Sequence, residues 1–194
     1  MNSVLIKNVI LNGKTKDIFI EGNKIKKIGK NINLRAKEKI DGKGEKAILP
    51  GLINCHTHAA MTLFRGYGDD LPLKEWLENK IWPLEFKMTA DDIYWGTKQA
   101  CLEMIKSGTT CFNDMYWYAD TIIKAVEEIG LRAVIGPLII DFDKKRAGLE
   151  NFKRQYRKLE AKKIEPVTLA IAPQTNFNVS KKKNKKAKNF AKKN

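Results

Sequence analysis

The sequence predicts an α/β protein in which a short β-rich segment precedes alternating strands and helices. Within the first 30 residues, turn-forming sequences separate short apolar segments, and apolar and polar residues alternate at Asp17–Ile20 and Lys24–Ile28. After residue 47, apolar runs alternate with segments in which apolar residues recur every three or four positions. Such an order is typical of a parallel sheet with helical crossovers. We therefore predict two domains, residues 1–47 and 48–194.

The first domain is predicted to consist of short antiparallel strands. The candidate strands are residues 4–11 (VLIKNVIL), 17–20 (DIFI) and 24–29 (KIKKIG), and Asn-Gly and Glu-Gly-Asn sequences separate them. Alternating apolar and polar residues indicate strands with one buried face. Three strands are too few to close on themselves, so this domain is predicted to be incomplete on its own.

The second domain is predicted to begin with a strand at Ala47–Cys55, whose almost continuous apolar run is typical of burial on both faces. Thr89 is a candidate N-cap of the helix that follows, and Gly108 is a candidate stop. The other predicted elements are strands at Thr109–Phe112, Arg132–Ile140 and Val167–Ala172, and helices that end at Gly130, span Leu149–Leu159 and start after Ser180. Four strands and four helices suit either an open sheet or half of a (β/α)₈ barrel.

Composition and motifs exclude several classes of protein. A hydrophobic content of 43% and a charged content of 30% favour a folded core over general disorder. The longest apolar runs are far shorter than the roughly 18 residues that span a bilayer, and the N-terminus lacks the features of a signal peptide. Three cysteines without a CxxC pair favour a reducing, cytoplasmic setting. No GxGxxG or phosphate-binding loop follows a predicted strand.

Much of the net charge of +15 lies at the C-terminal end, where residues 181–194 contain eight lysines and no acid. A basic helix or tail of this kind can bind nucleic acid or an anionic surface. No aromatic-rich basic segment or known nucleic-acid motif accompanies it. Neither a nucleic-acid partner nor a membrane is expected, and a basic nucleic-acid-binding protein stays open as an alternative.

His56 and His58, the two histidines of the chain, directly follow the predicted strand Ala47–Cys55. Residues two apart in a strand point to the same face, so both imidazoles are expected to converge at the carboxyl end of the strand. That end carries the active site in barrels and open α/β sheets. Two neutral imidazoles suit a metal such as Zn²⁺ or Fe²⁺. A pair of hydrogen-bonded structural histidines is the alternative.

The segment LPGLINCHTHAAMTLFRG resembles the first barrel strand of the amidohydrolase superfamily, whose pattern is PGxxxxHxH. The segment DDLPLKEWLENKIWPLE resembles the cytosine-deaminase-like and chlorohydrolase-like branch. Within that branch the sequence is most similar to 5-methylthioadenosine/S-adenosylhomocysteine deaminases and 5′-deoxyadenosine deaminases. The resemblance implies a TIM-type (β/α)₈ barrel, of which this chain holds about the first four βα units, preceded by strands of a small composite β-sandwich.

The resemblance also implies roles for three residues. His56 and His58 match the two strand-one ligands of a site for one divalent metal, zinc or iron. Glu85 matches the carboxylate that holds the ribose hydroxyls of a purine nucleoside substrate, and without the resemblance it would be taken for an ordinary surface acid. The implied reaction is hydrolytic deamination, in which activated water attacks the purine ring and ammonia leaves.

The sequence departs from the family pattern at several positions. Gln174 stands where the family commonly has a histidine that contacts substrate, so that contact is in doubt. The arginine expected near Pro137 is absent, and Arg146 is nearby but is not assigned to its role. Asp114 could lie near the mouth of the site, although a turn acid is the commoner interpretation. Cys55 is expected to point away from the histidines and to be packed.

The family site also requires a third metal-binding histidine, a glutamate acid/base, a further histidine and an aspartate, all from later strands. We therefore expect this chain to be the N-terminal part of a deaminase that lacks turnover alone and is poorly soluble or oligomeric. It would need a missing C-terminal half or another copy of itself. The alternatives are another amidohydrolase, such as a guanine or cytosine deaminase or a triazine-type chlorohydrolase, and a non-catalytic half-protein remnant.

Overall fold

The computed structural model describes residues 2–162 and 164–193, so the last residue of the lysine-rich segment, Asn194, lies outside it. Contacts divide the chain into two compact units, Met1–Pro50 and Gly51–Asn194. Within the described ranges, no helix is both long enough and apolar enough to cross a membrane.

The first unit contains a four-stranded sheet in the order β3-β2-β1-β4. Its strands are β1 (Ser3–Leu11), β2 (Lys14–Glu21), β3 (Lys24–Gly29) and β4 (Glu38–Asp41). The first three form an antiparallel meander as predicted, and β4 pairs in parallel with β1. The sequence does not predict β4, because all four of its residues are exposed and no apolar alternation marks it.

The second unit is built on a parallel sheet in the order β5-β6-β7-β8. Its strands are β5 (Leu52–Thr57), β6 (Thr109–Tyr116), β7 (Arg132–Ile139), β8 (Val167–Leu169) and β9 (Ala172–Pro173), which also pairs in parallel with β7. The predicted succession of parallel strands is confirmed. Strand β6 differs from the prediction in that it continues past Phe112 to Tyr116, and this extension carries side chains of the candidate site.

Helices connect the strands of this sheet. They are α1 (Leu73–Trp76), α2 (Trp82–Glu85), α3 (Ala90–Lys106), α4 (Ala119–Ile129), α5 (Lys144–Ala147), α6 (Leu149–Glu160) and α7 (Lys181–Ala191), with a 3₁₀ helix at Ala59–Phe64 and a π-helical turn at Leu77–Ile81. Helices α3, α4, α6 and α7 correspond to the four predicted helices. The prediction lacks the short helical elements between residues 59 and 85, although Leu73, Trp76, Leu77 and Ile81 have the spacing of one helical face.

Local sequence signals explain where the longer helices begin and end. Thr89 caps α3 in a capping box: its hydroxyl accepts from the backbone N–H of Asp92, and the Asp92 carboxylate accepts from the N–H of Thr89 at 2.8 Å. Gly130 ends α4 with φ of 83°, a left-handed conformation that favours glycine. The predicted N-cap at Thr89 and the predicted helix end at Gly130 are therefore confirmed.

Two clusters of buried side chains hold the second unit together. The larger cluster lies between the sheet and helices α3 and α4, and Phe112, Ile122 and Ile135 are fully buried within it. The smaller cluster joins β7 to α6 and α7 through rings that include Phe152 and Phe190. The described part of the lysine-rich segment is therefore a packed amphipathic helix, with most of its lysines exposed.

The prediction that the first strand of the second domain is buried on both faces is wrong. Leu52 and Ile53 in β5 are 62% and 67% exposed. The physical reason is that β5 lies at the edge of the sheet and, among the described residues, pairs with β6 alone. Cys55 on the same strand is likewise exposed, so the expectation that it is packed is also wrong.

Candidate metal and substrate site

A cavity of about 280 Å³ lies at the carboxyl ends of the parallel strands. His56 and His58 line it from the end of β5, and Tyr116 from the end of β6. Glu85 from α2 and Gln174, which follows β9, lie on its other sides. The remaining wall is largely apolar or aromatic and includes Leu73, Trp76, Trp82 and Leu138. The cavity combines flat apolar surfaces with a few polar groups, as is typical of sites for small molecules.

The two histidines converge as the spacing predicts. Their ring centroids are 5.4 Å apart, and the ring planes are inclined by 82°. His56 is exposed at the edge of β5, whereas His58 is half-buried at the start of the 3₁₀ helix Ala59–Phe64. Both imidazoles line the same cavity, so one ligand could contact both.

The hydrogen bond of His58 defines its tautomer. Its Nδ1 lies 3.0 Å from the backbone carbonyl oxygen of Met115. A carbonyl only accepts hydrogen bonds, so the proton of the neutral ring must be on Nδ1, and Nε2 keeps its lone pair. Burial lowers the pKa of His58, while the bond to Met115 raises it and the neighbouring His56 lowers it. The neutral form, which is the form that binds metals, is therefore favoured.

The described residues supply some, but not all, of the ligands that a divalent metal would need at this site. A metal-bound histidine commonly donates its other ring N–H to a carbonyl or carboxylate, and His58 has this arrangement. Imidazole nitrogens are suitable ligands for zinc and iron. Residues 2–162 and 164–193 contain no group of three or more candidate ligands close enough together to hold a metal. The described part of the chain thus supplies two ligands of a site that needs more.

Glu85 is a buried carboxyl group, with only 5% of its surface exposed. The Tyr116 hydroxyl donates a hydrogen bond to its Oε1 at 2.5 Å. Burial raises the pKa of Glu85, and the Tyr116 bond and the positive charge of Arg146 oppose that rise. Within the described residues no group donates to Oε2, which leaves this oxygen as an acceptor at the cavity. The default interpretation of Glu85 as a surface acid is therefore wrong.

Tyr116 contacts both His58 and Glu85. Its ring centroid lies 5.9 Å from that of His58, and its hydroxyl bonds to Glu85. Sequence reasoning missed this residue because the strand was predicted to end at Phe112. Tyr116 lies two residues beyond Asp114, and residues two apart in an extended strand share a face. This spacing could have identified it.

Gln174 lines the same cavity, in a fixed orientation. Its Oε1 accepts a hydrogen bond of 2.6 Å from Nδ2 of Asn178, and its backbone N–H donates to Ile139 at 3.2 Å. With the oxygen engaged, the amide NH₂ is the group available to a ligand. Gln174 can therefore donate a hydrogen bond at this position but cannot become a cation.

Asp114 and Arg146, whose roles the sequence leaves open, do not line this cavity. Asp114 is buried beneath the ends of β5 and β6, in keeping with a structural role. Arg146 binds the Asp143 carboxylate, with its Nε 2.7 Å from Oδ2, and lies over the ring of Trp117. Arg146 acts on Glu85 through charge, without a hydrogen bond between them.

Residues 47–194 match the sequence profile of the Amidohydrolase family. This match covers more than half of the chain. The chain belongs to the amidohydrolase family.

Two curated proteins illustrate what this chain is similar to. The chain is 50% identical to the 5′-deoxyadenosine deaminase of Methanocaldococcus jannaschii, over 98% of this chain and 46% of that protein. It is 47% identical to the 5-methylthioadenosine/S-adenosylhomocysteine deaminase of Carboxydothermus hydrogenoformans, over 88% of this chain and 42% of that protein. The chain thus spans about half the length of the curated relatives it matches.

A solved structure confirms the fold class. The adenosine deaminase of Xanthomonas campestris, solved with bound zinc, superposes with a TM-score of 0.89 at 26% identity, over 98% of this chain and 46% of that one. The parallel sheet of the second unit thus corresponds to about half of a metal-dependent hydrolase barrel, as the sequence predicts.

Proposed function

We propose that this amidohydrolase chain carries the metal-binding and ribose-binding half of a deaminase site for adenosine-type nucleosides. The observation that carries this proposal is that His56, His58 and Glu85 line one cavity at the ends of parallel strands. The names of the relatives suggest the substrate class: 5′-deoxyadenosine, 5-methylthioadenosine and S-adenosylhomocysteine. A divalent metal is supported by the family and by the zinc-containing neighbour, and we propose zinc, with iron as the alternative.

In this proposal His56 and His58 hold the metal through ring nitrogens. The Met115 carbonyl fixes the His58 ring so that Nε2 is free to bind. When bound, the metal would activate water for attack on the aminated purine carbon. The two histidines thereby position the chemistry at the end of β5.

Glu85 is proposed to bind the ribose hydroxyls. Its Oε2 is the oxygen left to accept from a ligand at the cavity, while the Tyr116 hydroxyl donates to Oε1. An ionised carboxylate that accepts from two hydroxyls makes strong, charge-assisted hydrogen bonds. The apolar rings and leucines of the cavity wall would shield the purine from water.

The other half of the site must come from outside the described residues. Two histidines do not complete a catalytic zinc site, which commonly uses three protein ligands. We propose that the missing groups come from a C-terminal half, encoded with this sequence or separately, or from another copy. The 194-residue chain alone is then expected to release no ammonia.

Co-expression with the missing half tests this function. The chain would be co-expressed with the C-terminal remainder of the M. jannaschii relative and assayed for ammonia release from the three nucleosides and from guanine. We expect release from at least one adenosine-type nucleoside, no release after His56→Ala, and an increase mainly in KM after Glu85→Gln. Lys106→Ala, at an exposed position of α3, is the matched control and should retain activity.

Two results would contradict the proposal. A complex that forms but deaminates only guanine would favour another branch of the family. Turnover by the 194-residue chain alone, lost in His56→Ala, would show that no C-terminal half is required.

A further inference from the structure

Asp114 is a buried acid with an unusual set of neighbours. Only 1% of its surface is exposed, and among the described residues it forms no ion pair. Its carboxylate accepts from two backbone N–H groups: Ala59 N donates to Oδ2 at 3.3 Å and Met115 N donates to Oδ1 at 2.8 Å. A buried carboxylate without a cation is costly, so its presence calls for a specific reason.

Both donors belong to residues that are directly connected to His58. Ala59 directly follows His58 at the end of β5, and Met115 provides the carbonyl that accepts the Nδ1 proton of His58. The Asp114 carboxylate thus connects the peptide after His58 to Met115, the residue whose carbonyl fixes the His58 tautomer. The three hydrogen bonds close a ring that contains Asp114, Ala59, His58 and Met115.

The chemistry of the position explains why an aspartate stands there. Both N–H groups are donors, and an ionised carboxylate presents acceptors on both oxygens. An asparagine of the same shape would place its NH₂ group against one of the N–H donors and lose that bond. Asp114 therefore suits this position better than an amide would.

We propose that Asp114 is a positioning residue that holds His58 in the Nδ1–H tautomer, with Nε2 directed to the cavity. The importance of that tautomer for metal binding rests on the proposed function. The tautomer itself can be measured in the metal-free protein, so failure of this inference and failure of the deaminase proposal can be told apart.

The test uses NMR of the full chain labelled with ¹⁵N-histidine. The chain has two histidines, so two imidazole patterns are expected, and His58→Gln assigns them. Spectra are recorded at about pH 8, above the ordinary titration range of imidazole. We expect His58 in the wild-type protein to show one protonated Nδ1 and one unprotonated Nε2.

Substitution of Asp114 should change that pattern selectively. In Asp114→Asn and Asp114→Ala, the nitrogen shifts of His58 should move toward a mixture of the two tautomers, and those of His56 should change less. The apparent Kd for Co²⁺ should rise by about 10-fold, as for residues that orient a metal ligand. Asp120→Asn is the matched control, because Asp120 also accepts from the next N–H but is exposed on α4.

Three results would overturn the inference. The first is a wild-type His58 protonated on Nε2. The second is an unchanged His58 pattern in both Asp114 variants. The third is loss of the whole folded spectrum in both variants, because Asp114 would then be required for general stability. If the His58 nitrogen signals shift as expected in the Asp114 variants but the protein binds no Co²⁺, the inference stands and the proposed metal site is contradicted.

Discussion

Removal of the Tyr116 hydroxyl tests the contact that holds Glu85. Tyr116→Phe deletes a donor that lies 2.5 Å from Oε1 and leaves the buried carboxyl group without a donor among the described residues. A hydrogen bond to a charged group contributes about 1.5–3 kcal/mol, so we expect the free energy of unfolding to fall by about that amount at neutral pH.

The loss should depend on pH. The hydroxyl stabilises the ionised carboxylate, and its removal should raise the pKa of Glu85 beyond the rise that burial already causes. A group whose folded-state pKa is raised contributes stability at low pH that is lost as the pH rises through the folded-state pKa. The difference between wild type and Tyr116→Phe should therefore be small at acidic pH and increase toward neutral pH.

Urea unfolding at several pH values measures this effect, with Tyr94→Phe as the matched control. The Tyr94 hydroxyl also lies 2.5 Å from a carboxylate, that of Glu128, but this pair is partly exposed and Lys98 binds the same oxygen at 2.8 Å. Water can replace the lost bond there, so the control should lose much less stability. Equal losses in the two variants, or a loss in Tyr116→Phe that does not change with pH, would refute the reasoning.

Two further substitutions test the packing that supports the site, each by urea unfolding. Gly96→Ala should lower the free energy of unfolding by about 1–3 kcal/mol, although alanine favours helices, because the new Cβ would lie 2.6 Å from the carbonyl oxygen of Ala60. Lys106→Ala, in the same helix, is the control. A Gly96→Ala variant that is more stable than the wild type would contradict the close approach of Gly96 to Ala60. Phe152→Ala should cost about 3–5 kcal/mol because its ring is fully buried. Phe177→Ala removes the same atoms from a ring that is 89% exposed and should have little effect, so similar losses would contradict the assigned core.

The features that the sequence predicts well are those specified by nearby residues. Helix α3 begins at Thr89 because the capping partner, Asp92, is three residues away. Helix α4 ends where Gly130 adopts a left-handed conformation. The convergence of His56 and His58 follows from the alternation of side chains along a strand.

The features that the sequence predicts poorly depend on distant partners. The polar pair Asn113-Asp114 interrupts the apolar pattern of β6, yet the strand continues, because Asp114 accepts hydrogen bonds that include one from Ala59, more than 50 residues earlier. Burial of Glu85 depends on Tyr116 in the same way. Strand β5 is exposed because it lies at the edge of the sheet. An apolar run in the sequence does not show which position its strand takes in a sheet.

Titration of the 194-residue chain with Zn²⁺ by calorimetry tests the central claim, that His56 and His58 are metal ligands. We expect one ion per chain, and a loss of affinity in His56→Ala and in His58→Ala that exceeds the roughly 10-fold caused by changes to residues that only orient a ligand. Cys55→Ser, at the exposed thiol beside the histidines, is the control and should bind as the wild type does. Unchanged affinity in both histidine variants, or a loss confined to Cys55→Ser, would contradict the account.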